Sequence, residues 1–231
     1  MWIMQGHRHM ITCIASDALG RWLVTADSGP ENVLIIWDST DLFPQRTIFA
    51  PHGTNRIAKI AMSTDAKYLI SLAYPTENVA VHWWIWSYGL SVPHAIKEIP
   101  DLARDSIIQM GFNPTRSERF LLLTRTHFFI CIAKKIKVVE RGLVKETDDW
   151  EIKIRRPDHV ERSVECGKFM CYTFSSSTAQ ILVATSRGIV IVYGYTIEYR
   201  TNFSPLEIDR LRFIKVVKLE KRMINIIKYI D

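Results

Sequence analysis

Three groups of residues have the types and spacing to do chemistry. His7-x-His9 sets two imidazoles on one short segment, and a zinc site would need at least a third protein ligand beside them. The sequence places none there, so the pair reads as one structural histidine and an exposed neighbour. Cys166 and Cys171, with His159 nearby, are also soft ligands. Their x4 spacing matches no standard knuckle and Cys171 falls on an expected strand, so free or buried thiols are expected. Asp148-Asp149 stands beside Trp150. Paired carboxylates can share acid–base work, but adjacent residues point apart on an extended chain, and a solvated loop is expected. No glycine-rich phosphate loop, nucleophile elbow, H-E-x-x-H or calcium-loop pattern occurs. Neither a cofactor nor a metal is expected, and no enzyme activity.

Two basic clusters, Lys134-Lys135-Ile136-Lys137 and Lys153-Ile154-Arg155-Arg156, are candidates for an acidic partner. Lys134, Lys135, Arg155 and Arg156 are the residues singled out. The competing reading is a sheet edge guarded by charge, which edge strands need in any case. Trp83-Trp84-Ile85-Trp86 is dense enough for a binding platform or a core. On a strand Trp84 and Trp86 face one way and Trp83 the other, which makes Trp83 a candidate partner contact.

These residues sit in a chain of 231, with 48% apolar and 23% charged residues. That usage is globular and argues against disorder. Thirty basic against 24 acidic side chains give a net charge of +6, spread along the chain, so no nucleic-acid partner is expected. Four scattered cysteines make no disulfide framework and point to a reducing compartment. Residues 1–10 lack the apolar run of a secretory signal, and without one the sequon at Asn202 carries no weight. Residues 78–96 lack Asp, Glu, Lys and Arg, but their apolar density is confined to 79–86; a buried strand rather than a membrane span is expected.

Helical periodicity is scarce. Short runs rich in Ile, Val, Trp and Thr alternate with turns: 11–15, 22–25, 33–37 and 47–49, then 57–62, 68–72 and 79–86. Looser runs follow at 107–112, 120–124 and 128–132, then at 169–174, 181–185, 189–193 and 214–219. The units repeat: Ser16-Asp17-Ala18-Leu19-Gly20-Arg21-Trp22-Leu23 answers Ser63-Thr64-Asp65-Ala66-Lys67-Tyr68-Leu69, and Trp37 is matched with Trp86. Four short strands per unit, repeated in tandem, predict an all-β propeller. Expected blades are 6–50, 51–99, 104–143 and 164–219, with the start of another at 223–231 and a polar insertion over 140–167. Residues 1–4 are expected to be the outer strand of a preceding blade.

The first unit resembles a WD40 repeat. Gly6-His7 opens it and Trp37-Asp38 closes it. The resemblance implies a hydrogen-bonded structural tetrad of His7, Thr25, Asp27 and Trp37. Later units depart from the pattern, ending in Trp86-Ser87 and Tyr193-Gly194. The stretch from Arg21 to Ser39, with 61–69, 112–115 and 180–185, is further similar to the axonemal WD-repeat proteins of the calmodulin- and spoke-associated complex. Echinoderm-type microtubule-associated proteins share the first-blade pattern. The resemblance implies a non-catalytic scaffold near the radial-spoke base of motile cilia and flagella. Its partners would be proteins of a multi-subunit axonemal complex, with tubulin a further one and no membrane. A cytoplasmic adaptor, for microtubules or a ubiquitin ligase, is the second reading. A seven-blade ring needs roughly 300 residues, so the chain is expected to be a fragment, a truncated isoform or an incomplete gene model.

Overall fold

The computed structural model describes residues 5–73, 79–99, 107–140, 143–157, 166–175, 180–196 and 210–218. Their strands make four antiparallel four-stranded sheets. The first holds β1 (Ile11–Ser16), β2 (Trp22–Asp27), β3 (Val33–Asp38) and β4 (Pro44–Phe49) in that order. The second holds β5 (Ile57–Met62), β6 (Leu69–Ala73), β7 (Ala80–Trp84) and β8 (Ala95–Glu98). β9 (Gln109–Asn113), β10 (Arg116–Leu123), β11 (Phe128–Glu140) and β12 (Leu143–Arg155) form the third. β13 (Phe169–Phe174), β14 (Ile181–Thr185), β15 (Ile189–Thr196) and β16 (Arg210–Lys218) form the fourth.

The repeat is one of register as well as sequence. The first two strands of the first, second and fourth sheets each carry a bulge at the same place, between Ile11 and Cys13, Ile57 and Lys59, and Phe169 and Cys171. The turns after β1 and β5 are built alike. The Asp17 carboxylate accepts the Trp22 N–H at 2.9 Å, and the Ser63 hydroxyl accepts the Tyr68 N–H at the same distance. Each turn ends on a residue with positive φ, Gly20 at 70° and Ala66 at 58°. Glycine takes that conformation freely and alanine does so under strain.

Two compact units divide the chain. One comprises Met1–Arg104, Met110–Phe120 and Cys131–Lys153, and the other Asp105–Gln109, Leu121–Ile130 and Ile154–Asp231. In the former, one face of the first sheet packs on the second sheet. Val24, Leu34, Ile36 and Ile48 meet Ile57, Ile60, Met62, Leu69 and Trp84. Burying each such side chain contributes about 1.5–3 kcal/mol. β3 is buried along nearly its whole length, which is why its sequence is a continuous apolar run rather than an alternation. In the other unit Phe128, Tyr172, Tyr193 and Phe213 form an aromatic chain. There the Gln109 amide pairs with both backbone groups of Tyr172, at 2.8 and 2.9 Å.

Several expectations are corrected. The polar stretch 140–167 is, over its first half, the thirteen-residue strand β12, so Asp148 and Asp149 lie on a sheet edge and not in a loop. Its charges hid it: Lys135–Asp148 and Lys137–Glu146 pair across to β11 at 3.6 and 3.1 Å. The run 79–86 ends as a strand at Trp84, and Trp86 begins a 3-10 turn. Trp86 there donates to the Ala66 carbonyl at 2.6 Å and packs on Trp22. The segment 78–96 is thus strand, turn and strand from Ala80 on, and among the described residues no helix is long and apolar enough to cross a membrane. The proposed beginnings of flanking blades, 1–4 and 223–231, lie outside the described residues.

Trp83 is the clearest correction. It is 0% exposed, not a surface platform. Its ring packs among Tyr68, Phe112, Phe120 and Trp150, with centroids 4.7–6.0 Å apart. Trp83→Ala is therefore expected to cost about 3–5 kcal/mol as a large-to-small core change. Urea denaturation of the purified chain checks this, and a loss under 1 kcal/mol would show that Trp83 is no core anchor.

Candidate functional site

His7, Thr25, Asp27 and Trp37 come together on one face of the first sheet. Residues two apart on a strand share a face, so Thr25 and Asp27 of β2 point the same way. Leu23 pairs with Trp37 and Thr25 with Ile35, which brings the Trp37 indole over the same surface. The Trp37 N–H donates to the Thr25 hydroxyl oxygen at 2.7 Å. That hydroxyl meets His7 Nε2 at 2.6 Å, and His7 Nδ1 meets Asp27 at 3.0 Å. The second Asp27 oxygen accepts the backbone N–H of Val33 at 2.9 Å and of Gly29 at 3.5 Å. With Asp27 as acceptor, one direction of donation satisfies the set: Trp37 to Thr25, Thr25 to His7 Nε2, His7 Nδ1–H to Asp27. Gly6 is required by close approach, because a Cβ there would lie 2.8 Å from the Trp37 ring and 2.9 Å from Ile35. His9 is exposed and its ring lies against Gly29. His7 and His9 thus do not converge, and among the described residues no three His, Cys, Asp or Glu side chains form a metal cluster.

The second sheet holds a variant of this network that the sequence reading missed. His52 Nε2 meets the Ser71 hydroxyl at 2.8 Å, and the Trp84 N–H donates to the same oxygen at 2.8 Å. Leu69 pairs with Trp84 and Ser71 with His82, so Ser71 stands for Thr25, Trp84 for Trp37 and His82 for Ile35. Trp84, not Trp86, is therefore the counterpart of Trp37. Ala73 pairs with Ile57 as Asp27 pairs with Ile11, so the carboxylate is missing. The His82 ring stacks on His52 instead, 3.8 Å between centroids. In the fourth sheet Ile181 pairs with Tyr193 and Val183 with Ile191. Val183 and Tyr193 thus replace the hydroxyl and the indole, and no such network is possible.

The basic residues divide. Lys134 and Lys135 line a shallow concavity with Ile136, Lys137, Glu146, Glu151 and Lys153. Lys137 lies on the same strand, and Lys153 joins them because β12 folds back on β11. Glu146 and Glu151 sit 3.1 and 2.8 Å from Lys137 and Lys153, so the hollow is zwitterionic. Arg155 and Arg156 are not in its walls, and Arg156 lies over the Phe129 ring at 5.5 Å. The cysteines are free thiols. Burial pushes the Cys131 thiol far up, and raises those of Cys13 and Cys166.

The network in the first sheet makes two mutational expectations. Trp37→Ala costs about 3–5 kcal/mol and exposes the first sheet to protease. Thr25→Val keeps the shape but strands the indole N–H and the imidazole, at about 1–3 kcal/mol for each orphaned group. Limited proteolysis and urea unfolding read both, and unchanged values would remove the network from the fold's stabilising interactions.

No family model matches the chain. It is 28% identical over 99% of its length to cilia- and flagella-associated protein 251 of Mus musculus, and equally to that of Pongo abelii. Those alignments span 17% and 19% of the two relatives, so the chain covers about a fifth of the length of the curated proteins it matches. The Chlamydomonas reinhardtii protein of the same name is 35% identical over 40% of the chain and 12% of its own length. Among solved structures, the β-propeller domain of Cps50 (Swd1) from Myceliophteria thermophila superposes with TM-score 0.62 at 12% identity, covering 96% of the chain and 59% of that domain. Kluyveromyces lactis Hsv2 gives 0.51 at 7% identity over 65% of the chain and 47% of its own. At such identities the structures speak for the fold alone. The chain has the all-β fold of a WD40-type propeller and resembles cilia- and flagella-associated protein 251 over nearly its whole length.

Proposed function

We propose that the chain is a non-catalytic WD-repeat scaffold of the ciliary or flagellar axoneme, supporting assembly of the complex at the radial-spoke base and so ciliary motility. The observation that carries this reading is the similarity, across 99% of the chain, to proteins named for association with cilia and flagella. The propeller fold agrees with it, since rigid sheets hold connecting loops and outer edges in fixed positions for several partners. So does the use of the chemically capable residues. His7, Thr25 and Asp27 bond to one another and to Trp37 inside the sheet, leaving recognition to surface features. The partners in this reading are other proteins of a multi-subunit, calmodulin-associated axonemal complex. The concavity at Lys134 and Lys135 is the candidate contact for an acidic partner such as tubulin.

Cell fractionation tests the proposal. An antibody to residues 51–65 is used on detergent-extracted axonemes and on soluble cytosol of ciliated or flagellated cells that express the chain. A signal retained in axonemes is expected, and its loss from axonemes lacking radial spokes would tie it to the spoke base. A signal confined to cytosol would overturn the axonemal assignment.

A further inference from the structure

We propose that the second sheet is an acid-labile element of the fold: its stacked His52–His82 pair, held to Ser71 and Trp84 where the first sheet has a carboxylate-backed histidine, unlocks when either imidazole takes a proton. The comparison between equivalent positions carries the argument. In the first sheet His7 Nδ1 lies 3.0 Å from the Asp27 carboxylate, which gives the ring an acceptor inside the sheet. In the second sheet Ala73 occupies that register position, and a second imidazole lies 3.8 Å from the first. With the Ser71 hydroxyl donating to His52 Nε2, the direction assigned to Thr25 and His7, a proton on His52 turns Nε2 from acceptor to donor. The Ser71 oxygen it faces already accepts the Trp84 N–H at 2.8 Å, so the Ser71 hydroxyl loses its acceptor. The new cation also sits against the His82 ring.

The surroundings offer little compensation. Ser71, Trp84, Leu69, Ile57 and Ile60 share the face of the pair, and Val24, Leu34, Ile36 and Ile48 of the first sheet pack over it. His82 makes one backbone hydrogen bond, with Pro51, and its Nδ1 is buried without a partner among the described residues. Two charged groups are turned toward this face by strand alternation. Arg46 pairs with Ile36 on β4, and Glu98 pairs with Ala80 on β8 beside the His82–Ile96 pair. The Arg46 guanidinium reaches Gly89 on the β7–β8 connection, and the exposed Glu98 is open to solvent screening.

Burial, and then the neighbouring His82, push the His52 pKa down from 6.5 to about 3. Burial also lowers His82, and lowers His94 at the far end of the β7–β8 connection. Neutral His94 Nδ1 accepts the Ile85 N–H at 3.2 Å, a bond that a proton on Nδ1 would abolish. That bond pins the turn carrying the exposed Tyr88, Leu90 and Val92. The sign follows from linkage. Between the unfolded value of 6.5 and the folded value of about 3, the unfolded chain binds more protons than the folded one. The histidines' contribution is thus complete above 6.5 and is lost as pH falls through that window.

Urea unfolding of the full chain from pH 7.5 to 5.0 tests this, beside His82→Ile and Ala73→Asp, which copy residues of the first sheet. From pH 6 to 5 the unfolding constant should rise by a factor approaching ten for each histidine kept neutral. His82→Ile should remove about one such factor, and Ala73→Asp should flatten the profile by giving His52 a carboxylate. Parent and variants with the same pH dependence would overturn the proposal. Should a variant fail to fold, 15N NMR of the histidines in the unaltered chain decides. His52 and His82 neutral in the folded chain at pH 5.5 is the expected result, and a protonated pair in an intact fold overturns the idea.

Discussion

Every sheet of this protein contains strands that are apolar on both sides. β3 and β6 are buried along almost every residue, and a lone sheet would leave one of those faces in water. Stacking a second sheet on the first is the available remedy, and Val24, Leu34, Ile36 and Ile48 against Ile57, Leu69 and Trp84 show it. The same burial creates a second requirement. Indole N–H groups and imidazoles buried on a sheet face lose water and need partners inside. One threonine hydroxyl in the first sheet serves an indole and an imidazole together, and one serine does so in the second. The polar network is therefore a consequence of two-sided burial, not an addition to it.

The three sheets with matching bulges show how far such a network can drift while the register persists. Thr25, Ser71 and Val183 occupy one position, and Trp37, Trp84 and Tyr193 another. Where the hydroxyl becomes Val183, the indole is gone as well, and Tyr193 packs among Phe128 and Phe213. The partners change together because a lone buried donor costs more than an apolar pair of the same shape. The second sheet is the intermediate case. It keeps the hydroxyl and the indole, drops the carboxylate, and replaces an isoleucine with a histidine that stacks on the first.

Much of this was legible in the sequence because the first unit is conventional. Gly6-His7 and Trp37-Asp38 frame it, and the four tetrad residues could be matched by type. The second unit was misread at one point. Trp83, Trp84 and Trp86 offer no local cue as to which indole is buried beside the hydroxyl. A spacing cue did exist: Ser71 lies 13 residues before Trp84 and 19 after His52, against 12 and 18 for Thr25 in the first unit. Pro51 in place of Gly6 concealed it. β12 was hidden for another reason. Only Trp150, Ile152 and Ile154 keep a period of two, and most of the rest of the strand is charged because, among the described residues, its outer edge has no neighbouring strand in the sheet.

What the interior absorbs determines where recognition must lie. Trp83, the most conspicuous aromatic for a partner, is spent in the core among Tyr68, Phe112 and Phe120. His7 and Asp27 are consumed by each other. Among the described side chains left outside, two groups bear on recognition. One is the apolar group Tyr88, Leu90 and Val92 on the β7–β8 connection. The other is the lysine-lined concavity formed where β12 folds back on β11. The first owes its shape to a backbone hydrogen bond on neutral His94, and the second to cross-strand ion pairs that salt screens. Acidification therefore acts on one surface through the sheet that carries it, while ionic strength acts on the other directly. A partner held by the apolar turn and a partner held by the lysines would respond to different conditions, although both features belong to the same compact unit.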